Sequence, residues 1–231
     1  MKKDILSMSL SELETDFIAL GVQKFRARQV RKWMNKGVRR FGEMTDLPEA
    51  FRLKLEENYD LYRPEVINCQ TSRLDGTIKY LWKLRDGNSV ETVVMNYSYG
   101  NTVCIATQVG CRQGCAFCAS TIGGLVRNLT PSEMLDEVWF SQTDSGKKIS
   151  NIVLMGIGEP FDNYDELLVF LALMHDEKGK NLSHRNITVS TCGLTDKIRA
   201  FADAGTGVSL AISLHAPNDE IRRKIMRIAG A

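Results

Sequence analysis

The chain has 231 residues, 43% of them hydrophobic and 25% charged, the balance of a globular protein large enough for one sizeable domain or two modest ones. No run of about 18 apolar residues occurs, which excludes a membrane-spanning helix, and Met1-Lys2-Lys3-Asp4 leads into alternating polar and apolar residues rather than an apolar signal core, so the cytoplasm is the expected compartment. A net charge of +2 names no partner, but six cysteines in such a compartment point to metal or catalysis rather than disulfides.

Residues 1–62 read as a helical accessory domain. Ser9 and Glu12 form a capping box, Leu10, Leu13, Phe17 and Leu20 keep helical spacing, and Gly21 supplies a stop. A second helix carries Ala27, Val30, Trp33 and Met34 on its buried side and ends near Gly37. A third starts at Asp46, with Pro48 in its first turn and Leu47, Phe51 and Leu55 as its apolar stripe. Between Lys24 and Arg40 lie eight basic residues, among them Arg26, Arg28, Arg31 and Lys32, and no acidic one. Such a block either lines nucleic-acid phosphates and releases counterions or is a solvated helix face.

Residues 63–100 read as a small β-meander. Strands are expected over 66–72, 77–85 and 90–95, separated by the tight-turn pairs Asp75-Gly76 and Asp86-Gly87. From residue 101 to 231 strands and helices alternate. The strands, 102–107, 152–155, 187–190 and 208–214, are mostly apolar and β-branched, as in sheets covered on both faces. Amphipathic stretches at 131–140, 164–174 and 196–204 fall between them, and 144–148 reads as a surface loop. This is an α/β chain built by βα repetition around a parallel sheet.

Cys111-Arg-Gln-Gly-Cys115-Ala-Phe-Cys118 follows the first of these strands directly. Three thiolates on one tight loop can hold three irons of a cubane cluster, leaving the fourth iron free for a small molecule. Zinc competes for such thiols, yet a structural zinc site wants four ligands, and the loop offers no fourth Cys or His. Met155-Gly156-Ile157-Gly158-Glu159-Pro160 ends the second strand, where glycines admit a ligand close to the backbone and a carboxylate can accept from an ammonium group. Ser190-Thr191-Cys192-Gly193 and Ser213-Leu214-His215-Ala216 end the third and fourth strands, the edge at which α/β sheets bind ligands. A lone serine at a strand end is more often a helix cap, and Cys192 also reads as a small buried hydrophobe.

The stretch from Asn101 to Thr130, NTVCIATQVGCRQGCAFCASTIGGLVRNLT, resembles the signature of the radical S-adenosylmethionine (SAM) enzymes that methylate carbon 2 of an adenine in ribosomal and transfer RNA. The similarity extends to Phe25-Arg26-Ala27-Arg28-Gln29, to residues 43–48, and to Glu91-Thr92-Val93, Gly158-Glu159-Pro160 and Ser213-Leu214-His215. It implies a (β/α)6 radical SAM barrel, present here in part with about four strands, beside the helical domain and the meander. Cys111, Cys115 and Cys118 would ligate a [4Fe-4S] cluster. Gly158, Glu159, Ser190, Ser213 and His215 would bind SAM, with Leu214 contributing its backbone. Cys104 matches the cysteine that resolves an RNA–enzyme adduct, and Glu91 the acidic proton acceptor. From the residues alone, Cys104 is a core position in a strand and Glu91 a solvated one.

Partners implied by the resemblance are 23S rRNA and tRNA, bound through the basic helix, and an electron donor such as flavodoxin, the full-length enzyme acting as a monomer. Family members methylate a second cysteine near the C-terminus with one SAM and activate that methyl group with another. Relatives continue beyond the Ile225–Ala231 stretch, so the resemblance implies a C-terminally truncated chain that ligates a cluster and cleaves SAM slowly without methylating RNA. Two other readings stay open: a C8-specific rRNA methyltransferase and a non-catalytic RNA-binding remnant.

Overall fold

Ser9 accepts from the Glu12 amide while the Glu12 carboxylate accepts from the Ser9 amide at 2.6 Å, and this reciprocal cap starts helix α1 (Leu10–Ala19). In the computed structural model, which describes residues 2–177 and 179–227, α1 packs on α2 (Arg26–Met34) and α3 (Glu49–Asn58). Two short strands, β1 (Lys3–Asp4) and β2 (Tyr59–Asp60), pair in parallel and close this head. Its core joins Leu13, Phe17, Ala27, Val30, Met44 and Leu55, all fully buried, with Phe17 edge-on to Phe51 and Tyr59. Helix α3 begins at Glu49 and not at Asp46. Pro48 stands outside it with ψ 140°, and a residue ahead of proline is kept out of the helical region. Trp33, expected on the buried side of α2, is only half-buried, and its indole donates to Asp46.

The meander is not a separate layer. Strands β3 (Glu65–Thr71), β4 (Ile78–Lys83) and β5 (Ser89–Tyr97) are antiparallel, and β5 continues onto β6 (Gly100–Cys104), the first strand of the parallel region. After β6 come the short β7 (Gln108–Gly110) and β8 (Leu125–Asn128), then α4 (Pro131–Ser145), β9 (Ile149–Leu154) and α5 (Tyr164–His175). β10 (Ile187–Thr191), α6 (Thr195–Asp203), β11 (Ser209–Ile212) and α7 (Asp219–Ile225) complete the order. One seven-stranded sheet runs β11-β10-β9-β6-β5-β4-β3, its first four members parallel. Helix α4 is longer than expected and takes in the first two residues of the predicted 144–148 loop, ending at a left-handed Gly146.

Register divides the sheet into two faces. Val90, Val94, Val103, Ile152, Leu154, Ile187 and Val189 share one face, each 1% exposed or less, in a core with Met134 and Val138 of α4, Phe170 of α5 and Phe201 of α6. The opposite face carries Glu91, Val93, Cys104, Val153, Ser190 and Ala211. The two-residue period of a strand thus separates packing from chemistry.

Arg63 joins the head to the sheet. Its guanidinium donates to the Met34 carbonyl at 2.6 Å, to the Val38 carbonyl at 2.8 Å and to the Asp136 carboxylate of α4, and it lies over the Phe140 ring. Both charged side chains of the pair are almost fully buried. Ser132, at the start of α4, adds contacts to Asp4 and Ser7 of the head.

Candidate active site

The cysteine loop is an excursion between β7 and β8, which pair antiparallel and close its base, with the Cys111 amide donating to the Gly124 carbonyl at 3.0 Å. A Cβ on Gly110 (φ +75°) would lie 2.0 Å from that carbonyl, so this turn admits only glycine. Inside the loop the Cys118 amide bonds the Cys115 carbonyl at 3.0 Å, folding the C-x-x-C segment into a turn. Cys111, Cys115 and Cys118 all line one cavity of about 330 Å³. Burial raises the Cys111 and Cys115 thiol pKa values, and the neighbouring thiols and Glu159 raise them further.

A bound cationic centre would reverse that effect and favour the thiolate form that ligates metal. A single zinc ion would draw its sulfurs to about 3.8 Å from one another, given Zn–S bonds of about 2.3 Å. Among the described residues no three His, Cys, Asp or Glu side chains converge as ligands of one ion. Three thiols lining one cavity suit a cluster in which each binds a different iron.

The far wall of the same cavity is made by the strand ends. Gly156, Gly158 and Glu159 after β9, Ser190 and Cys192 at β10, and Ser213 and His215 after β11 all line it. The Ser190 and Ser213 hydroxyls are 3.2 Å apart. Glu159 is 4% exposed; its carboxylate accepts from the Phe161 amide at 3.0 Å and the Cys192 amide at 2.8 Å. Each carboxylate oxygen retains a second lone pair, so an ammonium group from the cavity can still be accepted. Leu214 is the exception. It does not line the cavity, its side chain is 62% exposed, and its carbonyl accepts from Arg222. Positioned between two cavity residues by number, it lies beyond the end of β11 and leaves its side chain to solvent.

Cys104 lies directly opposite Val93, two residues from Glu91, on the face that carries Ser190. Ladder geometry for such a diagonal pair gives about 7–8 Å between them. Burial pushes the Cys104 thiol up to about 11. Glu91 is half-exposed and pairs with Lys79 at 2.7 Å.

The basic block divides. Arg31 is not available to a phosphate: it is 7% exposed, and its guanidinium donates to the Met8 carbonyl. Its position explains this, because Ala27, Arg31 and Met34 fall on one helix face at i, i+4 and i+7. Arg39 is also engaged, bonding the Arg63 and Pro64 carbonyls. Arg28 and Lys32 are exposed, Arg28 lying 3.7 Å from Glu14. Arg26 bonds Gln29 at 2.7 Å and stacks on Phe25, which is itself 48% exposed.

A model of the radical SAM superfamily matches residues 105–230, more than half of the chain. The chain belongs to the radical SAM superfamily. A second model, described as a ribosomal RNA large subunit methyltransferase N-terminal domain, matches residues 3–61. A probable dual-specificity RNA methyltransferase RlmN of Lachnoclostridium phytofermentans is 52% identical over 231 residues, all of this chain and 65% of its own length. Another of that description, from Lachnospira eligens, is 52% identical over 227 residues. The crystal structure of a radical SAM methyltransferase from Sphaerobacter thermophilus superposes with a TM-score of 0.90 at 39% identity, covering 98% of this chain and 67% of that one. This radical SAM chain therefore spans about 65% of the length of the curated relatives it matches. A radical SAM protein takes a [4Fe-4S] cluster and SAM, and the thiol loop and the strand-end wall are the parts that fit them.

Sequence reasoning left out residues that hold this radical SAM site together. Gln108, fully buried, accepts from the Glu159 amide at 2.9 Å and donates to Asn128 at 2.8 Å, linking the carboxylate loop to β8. Asn163 donates to the Thr107 and Leu129 carbonyls. Glu137 of α4 accepts from the Ala106 amide at 3.0 Å and from the Thr92 hydroxyl, bracing β5 against β6 behind Glu91 and Cys104. Only the placement of Gln108 within the signature stretch hinted at any of these.

Proposed function

We propose that this chain is the cluster- and SAM-binding part, with the RNA-contacting head, of an enzyme that methylates carbon 2 of an adenine in 23S rRNA and tRNA. One observation carries the reading: three thiols, a buried carboxylate and strand-end hydroxyls meet in one cavity, while Cys104 and Glu91 stand together on the chemical face of the same sheet. The likeness of the head to an rRNA methyltransferase domain and the names of the curated relatives support RNA as the substrate.

When bound, the cluster and SAM supply one-electron reductive cleavage and hence hydrogen-atom abstraction. Cys111, Cys115 and Cys118 hold the irons. Glu159, fixed by two backbone amides, accepts from the ammonium group of SAM, and Ser190 and Ser213 offer hydroxyls to its polar remainder. Cys104 is kept as a neutral thiol by burial, suited to attack on an activated carbon once a base takes its proton. Glu91 pairs with a half-exposed lysine, a partner it can exchange, and so can take a proton from the adenine. Arg28, Lys32 and Arg26 with Phe25 present cations and an aromatic ring to RNA. The setting inferred is a cytoplasmic monomer that draws electrons from a flavodoxin-type donor.

Anaerobic reconstitution with iron and sulfide is expected to give a brown protein that releases 5′-deoxyadenosine and methionine from SAM under dithionite. Alanine at Cys111, Cys115 or Cys118 should abolish both colour and cleavage. Stoichiometric zinc without iron would overturn the reading. Mass spectrometry of RNA modified by the complete enzyme should show 2-methyladenosine; 8-methyladenosine would move the reading to the other carbon.

A further inference from the structure

Helix α7 is short, and it is tied to both halves of the cavity. Asn218 caps it through the Ile221 amide at 3.0 Å, and the carbonyl of Ile225 at its other end accepts from Ala116 of the cysteine loop at 2.8 Å. From its middle, Arg222 reaches back to the sheet. Nη2 donates to the Cys192 carbonyl at 2.5 Å and the Ser213 carbonyl at 3.3 Å, and Nε to the Leu214 carbonyl at 3.2 Å.

These carbonyls lie just past the last ladder pair of β10 and β11, Thr191 with Ile212, where the strands stop satisfying each other. Immediately beyond, His215 takes φ +56°, costly for a residue with a Cβ, and the Ala216 amide closes the turn onto the Leu214 carbonyl at 2.8 Å. The His215 ring then meets Phe117 of the cysteine loop at 4.7 Å. Arg222 thus holds the backbone on which Ser190, Cys192, Ser213 and His215 are mounted. A guanidinium is suited to this because its donors form a rigid planar fork that spans two strands, which a lysine ammonium does not reproduce.

We propose that Arg222 is a positioning residue for SAM: bonding the ends of β10 and β11, it sets the spacing of the side chains that form one wall of the SAM cavity. The inference rests on reading that cavity as the SAM site. Arg222 itself does not line it.

The test compares the reconstituted chain with R222Q, R222K and K224Q. Lys224 is on the same helix and, among the described residues, pairs with Glu220 at the surface, at 2.9 Å. The readouts are SAM affinity by equilibrium dialysis, the change that SAM produces in the electron paramagnetic resonance spectrum of the reduced cluster, and hydrogen exchange of the amides of residues 213–216 without ligand. Losing charge-assisted bonds to the strand ends is expected to weaken SAM binding about tenfold or more in R222Q. Exchange at 213–216 should quicken, with iron content unchanged. R222K should fall between, and K224Q should match the parent chain.

Unchanged affinity in R222Q, in a parent chain that does bind SAM, would overturn the assignment alone. An equal loss in K224Q would also overturn it, by tracing the effect to helix stability. If R222Q fails to fold, R222K decides, and parent-like SAM affinity there refutes the proposal. A parent chain that binds no SAM overturns the cavity reading, and this inference with it.

Discussion

Replacing Glu137 with Gln should remove a pH dependence of stability built into the sheet. Glu137 is fully buried beneath β5 and β6, with one oxygen taking the Thr92 and Ala106 donors and the other without a hydrogen-bond partner among the described residues. Burial outweighs those two donors and pushes its pKa from 4.5 to about 8. Folding therefore retains a proton that the unfolded chain releases above about pH 4.5. The contribution is complete below that pH and is lost as the pH rises through about 8. Each pH unit within the window is worth about 1.4 kcal/mol. Near the upper pKa the slope halves, so the loss from pH 6 to pH 8 comes to about 2 kcal/mol.

An amide mimics the protonated acid and does not titrate. Its own hydrogen-bonding deficit, about 1–3 kcal/mol, is the same at every pH and cancels from the slope. Urea unfolding of the parent chain and E137Q at pH 6, 7 and 8 measures the difference directly. Their stabilities should converge or cross as the pH rises, the gap moving by about 2 kcal/mol in favour of the variant. Parallel curves would refute the reasoning and show the carboxylate to be ionised in the fold.

Three further outcomes are expected. Arg63→Met leaves Asp136 buried without its partner, and since burial already raises that carboxyl to about 7 with the guanidinium beside it, the acid must take up a proton or remain an unpaired charge. The change should cost about 3–5 kcal/mol in urea unfolding, whereas the joint change to Met and Leu should recover much of the loss. In RNA binding followed against salt, R28Q and K32Q should each lower the logarithmic slope by about one unit for every phosphate no longer neutralised. R31Q should leave that slope unchanged but destabilise the head, since its guanidinium bonds Met8 inside the fold.

Much of the site was legible because it is local. The three cysteines lie within eight residues, and a tight loop brings such neighbours together in almost any fold. The Ser9–Glu12 cap, the glycine turns and the alternation of strands with amphipathic helices are likewise set over a few residues, and most element positions followed. Glu91 and Cys104 were assigned by resemblance, and no local pattern distinguishes them from packing residues. The register of β5 on β6 is what places them on one face.

What only the tertiary structure decided is the fate of polar groups whose partners are distant in the chain. Arg31 is one of a row of basic residues in sequence but turns inward to Met8, 23 positions away, because its helix face is the buried one. Arg63 finds Asp136 across 73 positions, Thr92 finds Glu137 across 45, and Arg222 finds Cys192 across 30. Charge and residue type by themselves predict solvent exposure for these side chains. Burial reverses that, because a buried polar group must be satisfied by whatever donor or acceptor the packing brings near. Composition and spacing thus determined the chemistry available to this chain, and long-range packing determined which of its charged groups face a ligand and which hold the frame.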